Sequence, residues 1–180
     1  QVLTLMRKYN IRHIPVLNRN KEIVDLKLLK DFIYKKNYPN PVVIMAGGKG
    51  SRLGDLTLNC PKPMLQVGEK PMIENIIEKC INDGFKNFYI SVNYLKEVIM
   101  DYFEDGSKWG VKINYLIEKE ALGTAGSLSL LPQNIEDPII VLNCDIMTQF
   151  KFEKLLNFHN QSSTKATFCV RDNVTTIPFG

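Results

Sequence analysis

The run Val42-Val43-Ile44-Met45-Ala46 is β-branched, apolar and uninterrupted, and it delivers straight into Gly47-Gly48-Lys49-Gly50-Ser51-Arg52. A strand without polar alternation has both faces buried, which is the condition of an inner strand in a parallel sheet. Glycines at its end remove the Cβ atoms that would otherwise keep an anion away from backbone N–H groups. Strand and helix then alternate. Met72, Ile73, Ile76 and Ile77 share one face of a helix over 72–81, with Pro71 at its first turn. Strands follow at 88–92, 112–117, 139–143 and 166–170, and helices at 95–103, 126–131 and 152–159. The order predicts an α/β domain with a Rossmann-like, mainly parallel sheet and helices on both faces.

The first forty residues have a different grammar. Val2, Leu5, Met6 and Tyr9 fall at helical spacing, followed by strands at 13–17 and 23–28 around the turn Asn18-Arg19-Asn20-Lys21, then a helix at 29–36. Tyr38-Pro39-Asn40-Pro41 breaks the pattern, so the sequence divides into segments 1–38 and 41–180. Residues 1–40 hold nine Lys/Arg against three Asp/Glu, for +6; residues 41–180 hold fourteen against sixteen, for −2. No nucleic-acid motif accompanies the basic stretch, and a solvated helix face accounts for it. Hydrophobic residues make up 44%, enough for a core, while no stretch approaches the roughly 18 uninterrupted apolar residues of a membrane span. No secretory leader is legible, and the chain begins without Met, which reads as a piece of a longer protein. Cys60, Cys80, Cys144 and Cys169 form no C-x-x-C pair, and His13 and His159 lack zinc-ligand spacing, so a reducing cytoplasmic location is expected.

Three phosphate-binding patterns compete for the glycine loop. The P-loop sequence G-x-x-x-x-G-K-[ST] is absent. The dinucleotide fingerprint breaks at Leu53, and the following strand ends at Asn93 where a ribose-binding acid belongs, which disfavours an NAD(P) enzyme. The third fits over about twenty residues: Ala46 to Leu53, then Leu56-Thr57, then Pro61-Lys62-Pro63-Met64. This closely resembles the signature of sugar-1-phosphate nucleotidyltransferases, which join an NTP to a sugar 1-phosphate and release pyrophosphate. Leu122-Gly123-Thr124-Ala125-Gly126 resembles that family's base-and-ribose loop, and Val141-Leu142-Asn143-Cys144-Asp145 its metal-binding strand end. Cys144 stands where the family usually has glycine. The resemblance spans 41–180 and closes on Ile177-Pro178-Phe179-Gly180, which is similar to the strand before the sugar region, with Gly180 carried over as a sugar-binding position.

The chemistry asks for these residue types on its own account. Both reactants are anions, so positioning and charge neutralisation dominate the barrier. Backbone donors and fixed cations answer this better than a covalent nucleophile. Arg52 suits bidentate contact with phosphate oxygens, and Lys62, stiffened between two prolines, is a point charge for phosphate; these two are the catalytic candidates. Asp145, where strand meets loop, is a hard carboxylate suited to Mg²⁺, the expected cofactor. The resemblance places nucleotide on Ala46, Gly47, Gly48, Gly50, Ser51, Gly123, Thr124 and Ala125, and the base on Glu118, five residues before Gly123. A carboxylate only accepts hydrogen bonds and guanine offers two adjacent donors, so Glu118 leans toward GTP; the plain reading is a solvent-facing acid in Glu118-Lys119-Glu120.

The family's second metal-binding Asp and its acid-plus-lysine pair for the sugar phosphate belong to a part this chain does not contain. Weak nucleotide binding and slow or absent turnover are therefore expected of these residues alone. Segment 2–33 resembles the second half of a CBS domain, through Met6 to Tyr9, Arg12 to Leu17, Ile23 to Leu26 and Leu29 to Ile33. Asp31 falls on that family's ribose-contacting Asp, while Leu28 and Asp25 replace its usual Thr/Ser and Gly. The resemblance implies docking or homodimerisation through this segment or through the transferase domain. It also implies a setting among bacterial enzymes that activate sugars for surface glycans. The competing functional class is a regulatory nucleotide-binding protein without turnover.

Overall fold

The computed structural model describes residues 2–30 and 36–172, in two units, residues 1–37 and 38–180. The first carries helix α1 (Val2–Lys8) and an antiparallel hairpin of β1 (His13–Leu17) and β2 (Ile23–Leu28). Asn18 builds the turn: its Oδ1 accepts the N–H groups of Asn20 at 2.9 Å and Glu22 at 3.0 Å, and Lys21 takes a left-handed φ of 64°. Met6 is buried and Ile14, Val16 and Leu28 are half-buried, whereas Ile23 and Val24 are 71% and 59% exposed. The expected helix at 29–36 starts at Leu29 and Lys30; its continuation, with Asp31, lies outside the described residues.

The second unit runs β3 (Val42–Met45), two 3-10 segments (Ser51–Thr57 and Lys62–Met64), a small hairpin of β4 (Gln66–Val67) and β5 (Lys70–Pro71), α2 (Met72–Asp83), β6 (Asn87–Val92), α3 (Lys96–Phe103), a 3-10 turn (Ser107–Trp109), β7 (Lys112–Ile117), a 3-10 segment (Gly126–Leu130), β8 (Ile140–Asn143) and α4 (Phe152–Gln161). The sheet is parallel throughout, in the order β7-β6-β3-β8. The chain steps from β3 to β6 to β7 in one direction and returns to the far side of β3 with β8. The order therefore reverses between β3 and β8, at the carboxyl end where open α/β sheets bind ligands.

Both sheet faces are covered. Val42, Ile44, Phe88 and Ile90 pack with α2, α3 and α4 in one apolar cluster that includes Phe85 and Phe103. Each of those phenylalanines is fully buried and contributes about 1.5–3 kcal/mol. The opposite face receives the 3-10 segment Gly126–Leu130, whose Ser127 hydroxyl donates to Met45 Sδ at 2.9 Å. Sequence periodicity predicts helix over 126–131; a tight 3-10 run is what forms. The expected strand at 166–170 is irregular instead, with Phe168 82% and Val170 88% exposed. β-branched composition alone does not make a strand without a ladder partner, and none is present among the described residues. No helix among them is long and apolar enough to cross a membrane.

In the first turn of α2, Glu74 is 6% exposed and accepts from Tyr102 Oη at 2.6 Å and Trp109 Nε1 at 3.2 Å, with Lys70 Nζ 3.7 Å away. Burial raises the Glu74 pKa, but the two hydrogen bonds and the Lys70 and Lys108 charges outweigh it and hold the carboxyl below its ordinary value. A depressed folded-state value gives stability that is complete above the ordinary carboxylate range and is lost as pH falls through the folded value. Glu74→Gln turns an NH₂ toward one of these donors. It should cost about 1–3 kcal/mol at neutral pH, and the gap to the parent melting temperature should close below about pH 4. Thermal melts of both proteins from pH 3 to 8 check this; a gap independent of pH would count against the network.

Candidate active site

β3 ends at Met45, and the next residue, Ala46, is buried and donates its N–H to the Ser91 carbonyl at 3.0 Å, so the ladder with β6 holds up to the glycine loop. Gly47 follows, and a Cβ there would lie 2.8 Å from Glu118 Oε1. Gly48 faces open space, and a methyl at its α-carbon would meet nothing within 4 Å. Gly50 takes a left-handed φ of 64° with its α-carbon against Lys62 and Thr57, which no L side chain would tolerate well. Thr57 is buried and its hydroxyl reaches the Gly50 and Gly54 carbonyls, both at 3.2 Å. Tyr94, just past β6, donates to the Leu58 carbonyl at 2.8 Å. Together they shape the segment that carries Ser51 and Arg52. The Arg52 side chain is exposed and has no partner among the described residues.

Lys62 and Asp145 are 83 residues apart in sequence, and their Nζ and Oδ2 atoms meet at 2.6 Å. Lys62 comes from the second 3-10 segment and Asp145 from just beyond β8, so the pair spans the point where strand order reverses. Both stay partly open to solvent, with side-chain exposures of 30% and 41%. Among the described residues no three His, Cys, Asp or Glu side chains cluster as a cage for a metal ion. A lone partly exposed carboxylate fits Mg²⁺ as it is usually held, by one or two carboxylates with substrate phosphates and water completing the shell.

Glu118 differs from the solvent-facing reading of its acidic run. It is 8% exposed, and its Oε1 accepts from the buried Ser91 hydroxyl while Oε2 accepts the Leu122 N–H at 3.2 Å. This ties the end of β6 to the loop bearing Gly123, Thr124 and Ala125, all three exposed, with Gly123 at φ 75°. Gly180 lies outside the described residues. Cys144 is buried, and burial together with the neighbouring Asp145 charge pushes its thiol up to about 11, so it stays protonated at neutral pH and unreactive. The structure thus joins Lys62 with Asp145 and Glu118 with Gly47, and leaves Arg52 alone in solvent. Ser91 and Tyr94 are the residues sequence reasoning missed, and Thr57 stands in the signature without a role. The signal for Ser91 was a hydroxyl inside the apolar strand Phe88-Tyr89-Ile90-Ser91-Val92.

A parallel sheet with a glycine loop, an exposed cation and a lysine–carboxylate pair at its switch point defines a nucleotide-type α/β protein. Residues 41–180 match the Nucleotidyl transferase family model, and the chain belongs to that family. It is 40% identical over 133 residues to a probable mannose-1-phosphate guanylyltransferase 1 of Oryza sativa subsp. japonica, covering 71% of this chain and 37% of that protein. It is 38% identical over 129 residues to the mannose-1-phosphate guanyltransferase of Saccharomyces cerevisiae, covering 69% and 36%. The chain thus spans little more than a third of these relatives. HddC from Yersinia pseudotuberculosis, solved in complex with GMP-PN, superposes with a TM-score of 0.59 at 30% identity, over 66% of this chain and 53% of that one. The fold is also that of a putative glucose-1-phosphate thymidylyltransferase from Bacillus anthracis, with a TM-score of 0.63 at 23% identity over 68% and 51%.

The two glycines differ in packing. Gly47→Ala drives a methyl into the Glu118 carboxylate and should lower stability by about 1–3 kcal/mol. Gly48→Ala meets nothing and should leave the melting temperature unchanged. Melting curves of both variants test this; equal destabilisation by the two substitutions would refute the distinction.

Proposed function

We infer that residues 41–180 carry the nucleotide side of a sugar-1-phosphate guanylyltransferase, which turns GTP and a sugar 1-phosphate into a GDP-sugar and pyrophosphate. The observation that supports this most is the Lys62–Asp145 pair, at 2.6 Å, at the switch point that the glycine loop enters. The triphosphate lies along the glycine loop from Gly47 to Ser51, next to Ala46, whose own N–H is held by the Ser91 carbonyl, and Arg52 grips its oxygens bidentately. Lys62 exchanges Asp145 for phosphate, and Asp145 is the carboxylate that would hold Mg²⁺. The bound ion would supply further neutralisation of phosphate charge. An oxygen of the sugar phosphate forms the new bond to the α-phosphorus, the bond from that phosphorus to the oxygen bridging toward the β-phosphate breaks, and pyrophosphate leaves in line. The attacking oxygen is already anionic, so no general base is required. Glu118 reads the base, Gly123, Thr124 and Ala125 line the base and ribose, and Gly180 belongs to the sugar side. Mannose 1-phosphate is the first acceptor to try, given the relatives.

The helix–hairpin order of the first unit supports the half-CBS assignment, and its exposed Leu17, Ile23, Val24 and Leu26 support docking or homodimerisation through it. Four free thiols support a reducing, cytoplasmic location, and the resemblance to surface-glycan enzymes supports a role in supplying sugar nucleotides.

Thermal stabilisation by GTP, UTP, dTTP, CTP and ATP with Mg²⁺ tests the proposal on the chain itself. At about 100 times Kd a ligand adds roughly 2.7 kcal/mol, a readable rise in melting temperature. GTP should give the largest rise, Arg52→Ala should abolish it, and Asp145→Ala should remove its dependence on Mg²⁺. Stabilisation by ATP alone, indifferent to both substitutions, would overturn the transferase reading in favour of a regulatory one.

A further inference from the structure

Ser91 takes no part in the phosphate chemistry above, yet it is 1% exposed and its hydroxyl donates to Glu118. It pairs across the sheet with Leu116, and Glu118 follows two residues later, so both side chains leave the same face. Two donors converge on the two terminal atoms of side chain 118: the Ser91 hydroxyl on Oε1, and the Leu122 backbone N–H on Oε2 at 3.2 Å. A carboxylate accepts from both. A carboxamide would have to give its oxygen to Leu122, whose N–H cannot reverse, and its NH₂ to Ser91. Gly47 closes the third side, since a Cβ there would lie 2.8 Å from Oε1.

We propose that Ser91 is a positioning residue for base selectivity: its hydroxyl holds the Glu118 carboxylate in the orientation that presents an acceptor-only edge to a nucleobase with two adjacent donors. This rests on the guanylyltransferase reading of the site. Guanine supplies the two donors. Uracil supplies one N–H flanked by carbonyls and sets an oxygen against the carboxylate. Without the Ser91 hydroxyl, Oε1 is left buried without its donor and the side chain turns to find one. The edge is lost, while the loop and cations that take the triphosphate are untouched.

Isothermal titration of the whole 180-residue chain with GTP and UTP in Mg²⁺ buffer decides this, using the parent, Ser91→Ala, Ser91→Cys and Ser91→Thr. Ser91→Ala and Ser91→Cys should weaken GTP about tenfold and leave UTP within about twofold, and Ser91→Thr, which keeps the hydroxyl, should restore the preference. A merely structural serine would move both nucleotides together. If the alanine variant does not fold, the cysteine and threonine variants carry the same comparison. A parent that favours GTP, with the same GTP-to-UTP ratio in the cysteine and alanine variants, overturns the role of Ser91 and leaves the function standing. A parent with no preference for GTP overturns both.

Discussion

β3 has no exposed side chain from Val42 to Ile44 and is paired on both edges, with β6 on one side and β8 on the other. Its amino end is fixed by the breaker before it. Tyr38 stacks on Phe85 with ring centroids 5.0 Å apart, and buried Asn40 donates to the Pro138 carbonyl at 2.8 Å. A strand held this way cannot slip, because a shift of one residue would turn a buried row to the opposite face. Its carboxyl end is therefore a fixed point. The glycine loop, the Ser91–Glu118 contact and Asp145 all lie within a residue or two of the carboxyl ends of β3, β6, β7 and β8. The precision of the site comes from the apolar ladder beneath it.

The polar groups divide by burial. Glu74 is buried with its partners supplied by the protein, so it serves stability. Lys62 and Asp145 satisfy each other while still open to water. An exposed pair of this kind contributes about 0–1 kcal/mol, little enough to be exchanged for phosphate and a divalent ion without unfolding anything. A buried pair could not be parted so easily, since each charge would be left uncompensated in a low-dielectric interior. The same logic explains the solvent-exposed guanidinium of Arg52: a cation committed to a protein carboxylate would have to be freed before it could meet a ligand.

How much of this was legible in the sequence follows from the range of each interaction. The strand-to-glycine transition at Ala46–Gly47, the amphipathic helix from Met72 and the alternation through α4 are local patterns, and the chain states them within a few residues. The tail at 166–170 has strand-like composition, but strand formation depends on a neighbour elsewhere in the chain, and local pattern cannot supply one. The Lys62–Asp145 pair was visible as two separate candidates; that they meet is a property of sheet order, which no local spacing encodes.

Glu118 shows the same limit from the other direction. Its neighbours Lys119 and Glu120 are exposed, and charge composition there describes a solvated turn. What buries Glu118 is its place one step beyond β7, where its N–H still bonds the Val92 carbonyl at 3.0 Å and continues the ladder. Strand alternation then sends its side chain to the face that Ser91 occupies. An acid at that position is stable only because a hydroxyl, a backbone N–H and a glycine without a Cβ surround it, and these come from β6, the loop at Leu122 and the loop after β3. Three segments thus specify one carboxylate, so its placement is encoded less in residue 118 than in the residues that leave it room and donors.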